Sequence, residues 1–107
     1  MAKFLVQVAY TPEAWGHLAK KPQNRVPVVA KVVEALGGKL EGGWLSFGDY
    51  DTIVLVELPD NTSAAAFAMS IAAGGACRSV KTTPLLSVEE GMDAMKKAGG
   101  AGYQPPA

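Results

Sequence analysis

Residues 39–58 read KLEGGWLSFGDYDTIVLVEL, two apolar and aromatic runs hinged on Gly48-Asp49. Glycine at the first central position of a two-residue loop suits a type II′ hairpin turn, where that residue takes positive φ. The spacing predicts strands over 39–47 and 50–58, with Phe47 opposite Tyr50, Ser46 opposite Asp51 and Trp44 opposite Ile53. The second strand is apolar on both faces through Ile53, Val54, Leu55 and Val56. Such a strand belongs near the centre of a sheet that is covered on both sides.

Working outward, residues 3–10 (KFLVQVAY) alternate, with Phe4, Val6, Val8 and Tyr10 on one face and Leu5, Gln7 and Ala9 on the other. Thr11-Pro12-Glu13 opens a helix: a capping hydroxyl, proline at the first helical position, and an acid near the positive dipole end. Lys20 to Asn24 breaks it at Pro22. Asn24 is placed to cap a second helical piece that tolerates Pro27 early, carries Val29, Val32, Val33 and Leu36 at helical spacing, and stops at Gly37-Gly38. Beyond the hairpin, Pro59 to Thr62 caps a helix from Ser63 to about Ala73. Gly74-Gly75 stops it, and Ala76 to Leu86 returns as a strand that Pro84 confines to an outer or terminal position. Ser87-Val88-Glu89-Glu90 is a capping box opening a last helix that fades by Ala98. Residues 1–98 form one domain on this reading, and 99–107 (GGAGYQPPA) a flexible Gly/Pro-rich tail.

The element order βαββαβ predicts an α+β, ferredoxin-like fold: a four-stranded antiparallel sheet with two helices on one face. Two helices leave the other face bare, and there Leu5 and Ala9 join the outer side chains of residues 53–56. At about 25 cal/mol per Å², leaving them wet forfeits several kcal/mol. A second sheet packed face to face would cover them, so a homodimer or higher homo-oligomer is expected. The alternative is that the terminal helix folds back over this face.

Ten Lys+Arg balance ten Asp+Glu, and Arg25 and Arg78 are the only arginines. That is a poor match for phosphate backbones or anionic lipid, so neither nucleic-acid nor membrane partners are expected. Cys77 is alone and His17 is the only histidine, which leaves no metal-ligand cluster. The glycine pairs fit neither a P-loop nor a dinucleotide fingerprint, so no cofactor is expected. The first residues lack the apolar core of a secretion leader, and a reducing cytoplasmic location follows as the expectation.

Phe47-Gly48-Asp49-Tyr50-Asp51, after Leu36-Gly37-Gly38 and Trp44, resembles the signature of the GYD family of small bacterial proteins. Tyr10-Thr11-Pro12-Glu13, Leu58-Pro59-Asp60-Asn61 and Lys81-Thr82-Thr83-Pro84-Leu85-Leu86 extend the similarity from about Lys3 to Met95. The resemblance implies a ferredoxin-like dimeric α+β barrel and brings no activity with it. Whether the chain is an enzyme stays open.

Five residues stand out as ligand-binding candidates, each with a plainer use. Asp51 suits a general base in a half-buried site, or an acceptor for the hairpin turn. Tyr50 packs in the core or walls a flat ligand. Trp44 follows Gly42 and Gly43, which leave room beside the indole for a partner side chain or a ligand. His17 is a lone base on the first helix, commonly solvated. Arg25 could grip a carboxylate or phosphate, or a helix-end carboxylate. Together they point to a small, largely apolar ligand with one polar or anionic handle, bound with or without metal-free catalysis. The competing reading is a scaffold or ligand-sensing module with a solidly packed barrel.

Overall fold

Local chemistry accounts for each helix start in the computed structural model, which describes residues 1–107. Strand β1 (Ala2–Tyr10) runs into α1 (Pro12–Lys20), where Thr11 Oγ1 accepts from Ala14 N at 3.1 Å. Helix α2 (Val26–Ala35) follows the Pro22 break, and Asn24 Oδ1 accepts from Val26 N at 3.0 Å. The cap position itself falls on Arg25, one residue later than expected, because Asn24 bonds two residues on in an Asx turn. Strands β2 (Lys39–Leu45) and β3 (Thr52–Leu58) lead to α3 (Asn61–Ala73), which begins two residues before the expected Ser63. Asp60 caps it, accepting from Ser63 N at 2.8 Å; that bond, then the Ser63 hydroxyl, holds the Asp60 carboxyl below its ordinary pKa. Strand β4 (Cys77–Leu85) and α4 (Val88–Gly99) complete the chain, with both capping-box bonds of Ser87 and Glu90 formed. No helix is long and apolar enough to cross a membrane.

The strands form one antiparallel sheet in the order β2-β3-β1-β4. Phe4, Val6 and Val8 pair with Val56, Val54 and Thr52, and all six point toward the helices. Leu5 pairs with Leu55 and Gln7 with Ile53 on the opposite face. Trp44 pairs with Ile53, as expected, and Ser46 N donates to Asp51 O at 2.8 Å. The ladder ends at Leu45–Thr52, however, and no backbone bond joins Phe47 to Tyr50. Residues 46–51 are a six-residue loop with Gly48 at φ +122° and Phe47 fully exposed, not a two-residue turn. Two polar bonds divert the backbone: Asp51 N donates sideways to Val8 O at 2.8 Å, and Ser46 Oγ donates to Tyr50 O at 2.7 Å. A bulge at Glu41 puts Leu40 and Gly43 on the helix side, Gly42 and Trp44 on the other.

Phe4, Val6, Val8, Val54, Val56 and Leu58 make the core with Val33 from α2 and Ala64 and Phe67 from α3. Helix α2 rests on β2 and α3 on β4. Only 12 of the 107 residues are buried, and the hydrophobic cluster lies wholly on the helix side. The alternative of a last helix folded back over the bare face does not occur: every residue of α4 except Gly91 is exposed. The radius of gyration is 17.0 Å, against about 13 Å for a closed domain of this length. Helix α4 stands out as an arm.

Two glycines are placed to test this geometry. A Cβ on Gly38 would strike the Glu57 carbonyl and lie 2.7 Å from Leu58 Cδ2, so Gly38→Ala should cost about 1–3 kcal/mol in urea unfolding. Gly48 has open space around it but a left-handed φ, so Gly48→Val should cost at least about 1 kcal/mol through backbone strain alone. Parent-like unfolding midpoints would refute the close approach in the first case and the loop conformation in the second.

Candidate functional site

Helices α2 and α3 sit over opposite edges of the same sheet face and leave a slot between them. Its floor is Val6, Val8 and Val54, and its walls are Val29 and Val32 from α2 with Phe67 and Ile71 from α3. Valine is too short to close the gap from either side, and Gly74 and Ala76 add no bulk at one end. The slot is an apolar chamber of about 250 Å³ with Arg25, Tyr10, Thr52, Ser70 and Cys77 as its polar or ionisable lining.

A second, more open cleft of about 700 Å³ lies against it, bounded by Trp15 and Leu18 of α1, the Pro22–Val26 connection and the end of β2. Tyr10, Arg25 and Thr52 line both spaces. The Tyr10 hydroxyl and Thr52 Oγ1 are hydrogen-bonded at 3.0 Å, a polar boundary between the two. Arg25 is exposed, its Nη1 donating to Gln23 Oε1 at 3.2 Å. A surface bond of that kind is weak, so the guanidinium can turn to an anion at the boundary.

The five candidates from the sequence separate. Arg25 lines both spaces and Trp44 lines the outer cleft; Tyr50, Asp51 and His17 line neither. His17 is exposed on α1. Tyr50 is half-buried, and its carbonyl takes the Ser46 hydroxyl. The room beside Trp44 is taken by its own indole: a Cβ on Gly42 would lie 2.7 Å from Cη2 of that ring. Gly43 instead makes room on the helix side, where a Cβ would meet Val26 at 3.1 Å.

Asp51 is 7% exposed and works as a tie. Its Oδ2 accepts from Tyr10 N at 2.9 Å and from Trp15 Nε1 at 3.2 Å. The Trp15 ring meets Tyr10 edge-on, with centroids 5.4 Å apart and planes at 85°. One carboxylate thus joins the end of β1, the first turns of α1 and the β2–β3 loop, and fixes the tyrosine that borders the chamber. Burial, and then the Asp51 charge, pushes the Cys77 thiol above its ordinary pKa. Tyr10, Thr52 and Cys77 escaped the sequence reading because they lie on three strands; only the run of valines in residues 26–33, too small for a full helix–sheet contact, hinted at the void.

Asp51→Ala should lower stability by about 2 kcal/mol or more, since it strands the buried Tyr10 N–H and releases the Trp15 indole. Asp51→Asn keeps an acceptor and should lose less; equal losses in urea unfolding would refute the tie. Cys77 should alkylate with iodoacetamide more slowly at pH 8 than a free thiol, since less thiolate forms when the pKa is raised. A rate equal to that of glutathione would contradict the burial.

The model of the GYD domain family matches residues 4–95, which takes in Gly48, Tyr50 and Asp51. No curated protein matches the sequence. Among solved structures, TTHA0845 from Thermus thermophilus superposes with a TM-score of 0.55 at 16% identity, covering 82% of this chain and 96% of that one. FFRP-DM1 gives 0.53 at 15%, covering 80% and 100%, and the hypothetical protein PHS023 from Pyrococcus horikoshii 0.52 at 15%, covering 81% and 92%. At such identities the likeness shows a shared ferredoxin-like fold. The family match spans most of the sequence, and the chain belongs to the GYD domain family.

Proposed function

We propose that the protein is a homo-oligomer that binds a small, largely apolar molecule carrying one anionic group. The observation that carries this reading is the valine-walled chamber with Arg25 at its polar boundary. At about 250 Å³ the chamber is just under the range of small-molecule sites, ~300–1,000 Å³, and the adjoining cleft supplies the rest. The apolar part of the ligand lies between α2 and α3. Its anionic group meets the Arg25 guanidinium, with the Tyr10 and Thr52 hydroxyls as further partners.

The reading favours binding over covalent chemistry. A thiol with a raised pKa is a poor nucleophile at neutral pH, and the Oδ2 of Asp51 is already engaged by two donors. A solidly packed scaffold is the weaker reading because the slot between the helices is open. Self-association is supported by the bare sheet face with half-buried Leu5, Ile53 and Leu55.

Titration with octanoate or decanoate, followed by the emission of Trp15 and Trp44 at the cleft, tests the ligand class. Saturable binding is expected, with Arg25→Gln weakening it about tenfold, the loss of one charge-assisted contact. Val28→Phe should abolish it by filling the chamber from a partly exposed position of α2. No saturation by about 1 mM, the weak end of specific binding, would overturn the reading.

A further inference from the structure

The chamber and the cleft share three residues, Tyr10, Arg25 and Thr52, and no carboxylate lines either space. The Tyr10 hydroxyl and Thr52 Oγ1 bond to each other at 3.0 Å, and neither hydroxyl bonds to any other group of the chain. Two hydroxyls carry two protons, and the bond between them uses one. Whichever of them donates, the other is left with a proton to give. Asp51 does not take it: that carboxylate lines neither space, and its Oδ2 already accepts from Tyr10 N and Trp15 Nε1. The Arg25 guanidinium has only donors. The boundary is thus a place with hydrogen-bond protons and no acceptor of its own to receive them.

We infer that the ligand is an oxo acid, with a carbonyl oxygen between its apolar tail and its anionic group. The Tyr10–Thr52 pair gives its remaining proton to that carbonyl, while Arg25 holds the anion. The inference rests on the apolar-anion reading of this site and names the chemical class within it. The order of contacts follows from the strands. Thr52 lies two residues from Val54 on the same face of β3, about 7 Å along it, and pairs with Val8 as Val54 pairs with Val6. A tail lying on those valines therefore reaches the hydroxyl pair before it leaves the chamber. Arg25, exposed at the cleft, comes after.

A plain fatty acid with its carboxylate at Arg25 displaces water from the pair and sets a methylene against it. That leaves a buried donor unsatisfied, a loss of about tenfold or more in affinity. An oxo group at that place recovers the loss. The pair is also held ready for the contact. Tyr10 is fixed at its backbone N–H by Asp51 and at its ring by Trp15, and Thr52 is buried, so little freedom is lost on binding.

Calorimetric titration of the full-length chain with nonanoate and its 4-oxo, 5-oxo and 8-oxo derivatives tests this. The 4-oxo or the 5-oxo acid should bind at least about tenfold more tightly than nonanoate. The 8-oxo acid, whose carbonyl falls among the valines, should bind more weakly than nonanoate. Tyr10→Phe and Thr52→Val should each keep the preference, because the hydroxyl that remains still has its proton to give. The double variant should lose the preference and still bind nonanoate. Three results overturn the inference and leave the apolar-anion reading standing: equal affinity for nonanoate and both inner oxo acids, an 8-oxo acid as tight as either of them, or a preference that survives in the double variant. No saturation by any of these acids at about 1 mM overturns both. Should the double variant fail to fold, the order of affinities on the parent chain decides alone.

Discussion

The bonds made by one oxygen, Asp51 Oδ2, organise the half of the molecule that borders the chamber and the cleft. The carboxylate is buried, and a buried charge persists only where donors compensate it. Here those donors come from the end of β1 and from α1. With its backbone bonds to Val8 and Ser46, Asp51 therefore fastens three segments, reaching back 41 residues to Tyr10 and further to Val8. The position of Tyr10 follows from this, and with it the border between chamber and cleft. The acid that closes the family motif is thus an anchor in this chain, and the polar groups it positions are those of Tyr10 and Thr52.

The void between α2 and α3 has a different origin. It is left by two helices that each follow their own outer strand, with short branched side chains beneath them. A helix rich in leucine at positions 29 and 32 would close it. Valine costs some helix propensity there, so the chain gives up both intrinsic helix stability and core volume in the same place. That double local loss, in a domain with so little buried surface, leaves the slot between the helices unfilled.

Much of the fold was legible because its signals are local. Pro22 and the polar run around it separate α1 from α2; Ser87 and Glu90 announce α4; Trp44 opposite Ile53 follows from alternation once the hairpin is recognised. What failed was set by contacts across the sheet. The hairpin loop opens to six residues because Val8 O draws Asp51 N sideways, and a hairpin considered alone contains no Val8. The bulge at Glu41 cannot be located beside two glycines with no side chain to assign to a face. Of the five candidates, Arg25, singled out by its place after the helix break, lines both spaces. The chamber was not legible, since it is a property of the spacing between two helices. Gly42 was read as room for a visitor, when it is room for the neighbouring indole.

The two outermost strands have a consequence for what can add to the borders of the sheet. An unpaired strand border is a template for adding further strands and hence for fibre growth. Strand β4 carries Pro84, which cannot donate to an incoming backbone, and β2 is kinked by the Glu41 bulge with Lys39 beside it. Both borders are blunted, and the Lys3–Glu41 ion pair at 3.3 Å pins one of them. Growth in the open-ended, ribbon-like direction is thereby disfavoured at both borders of the sheet.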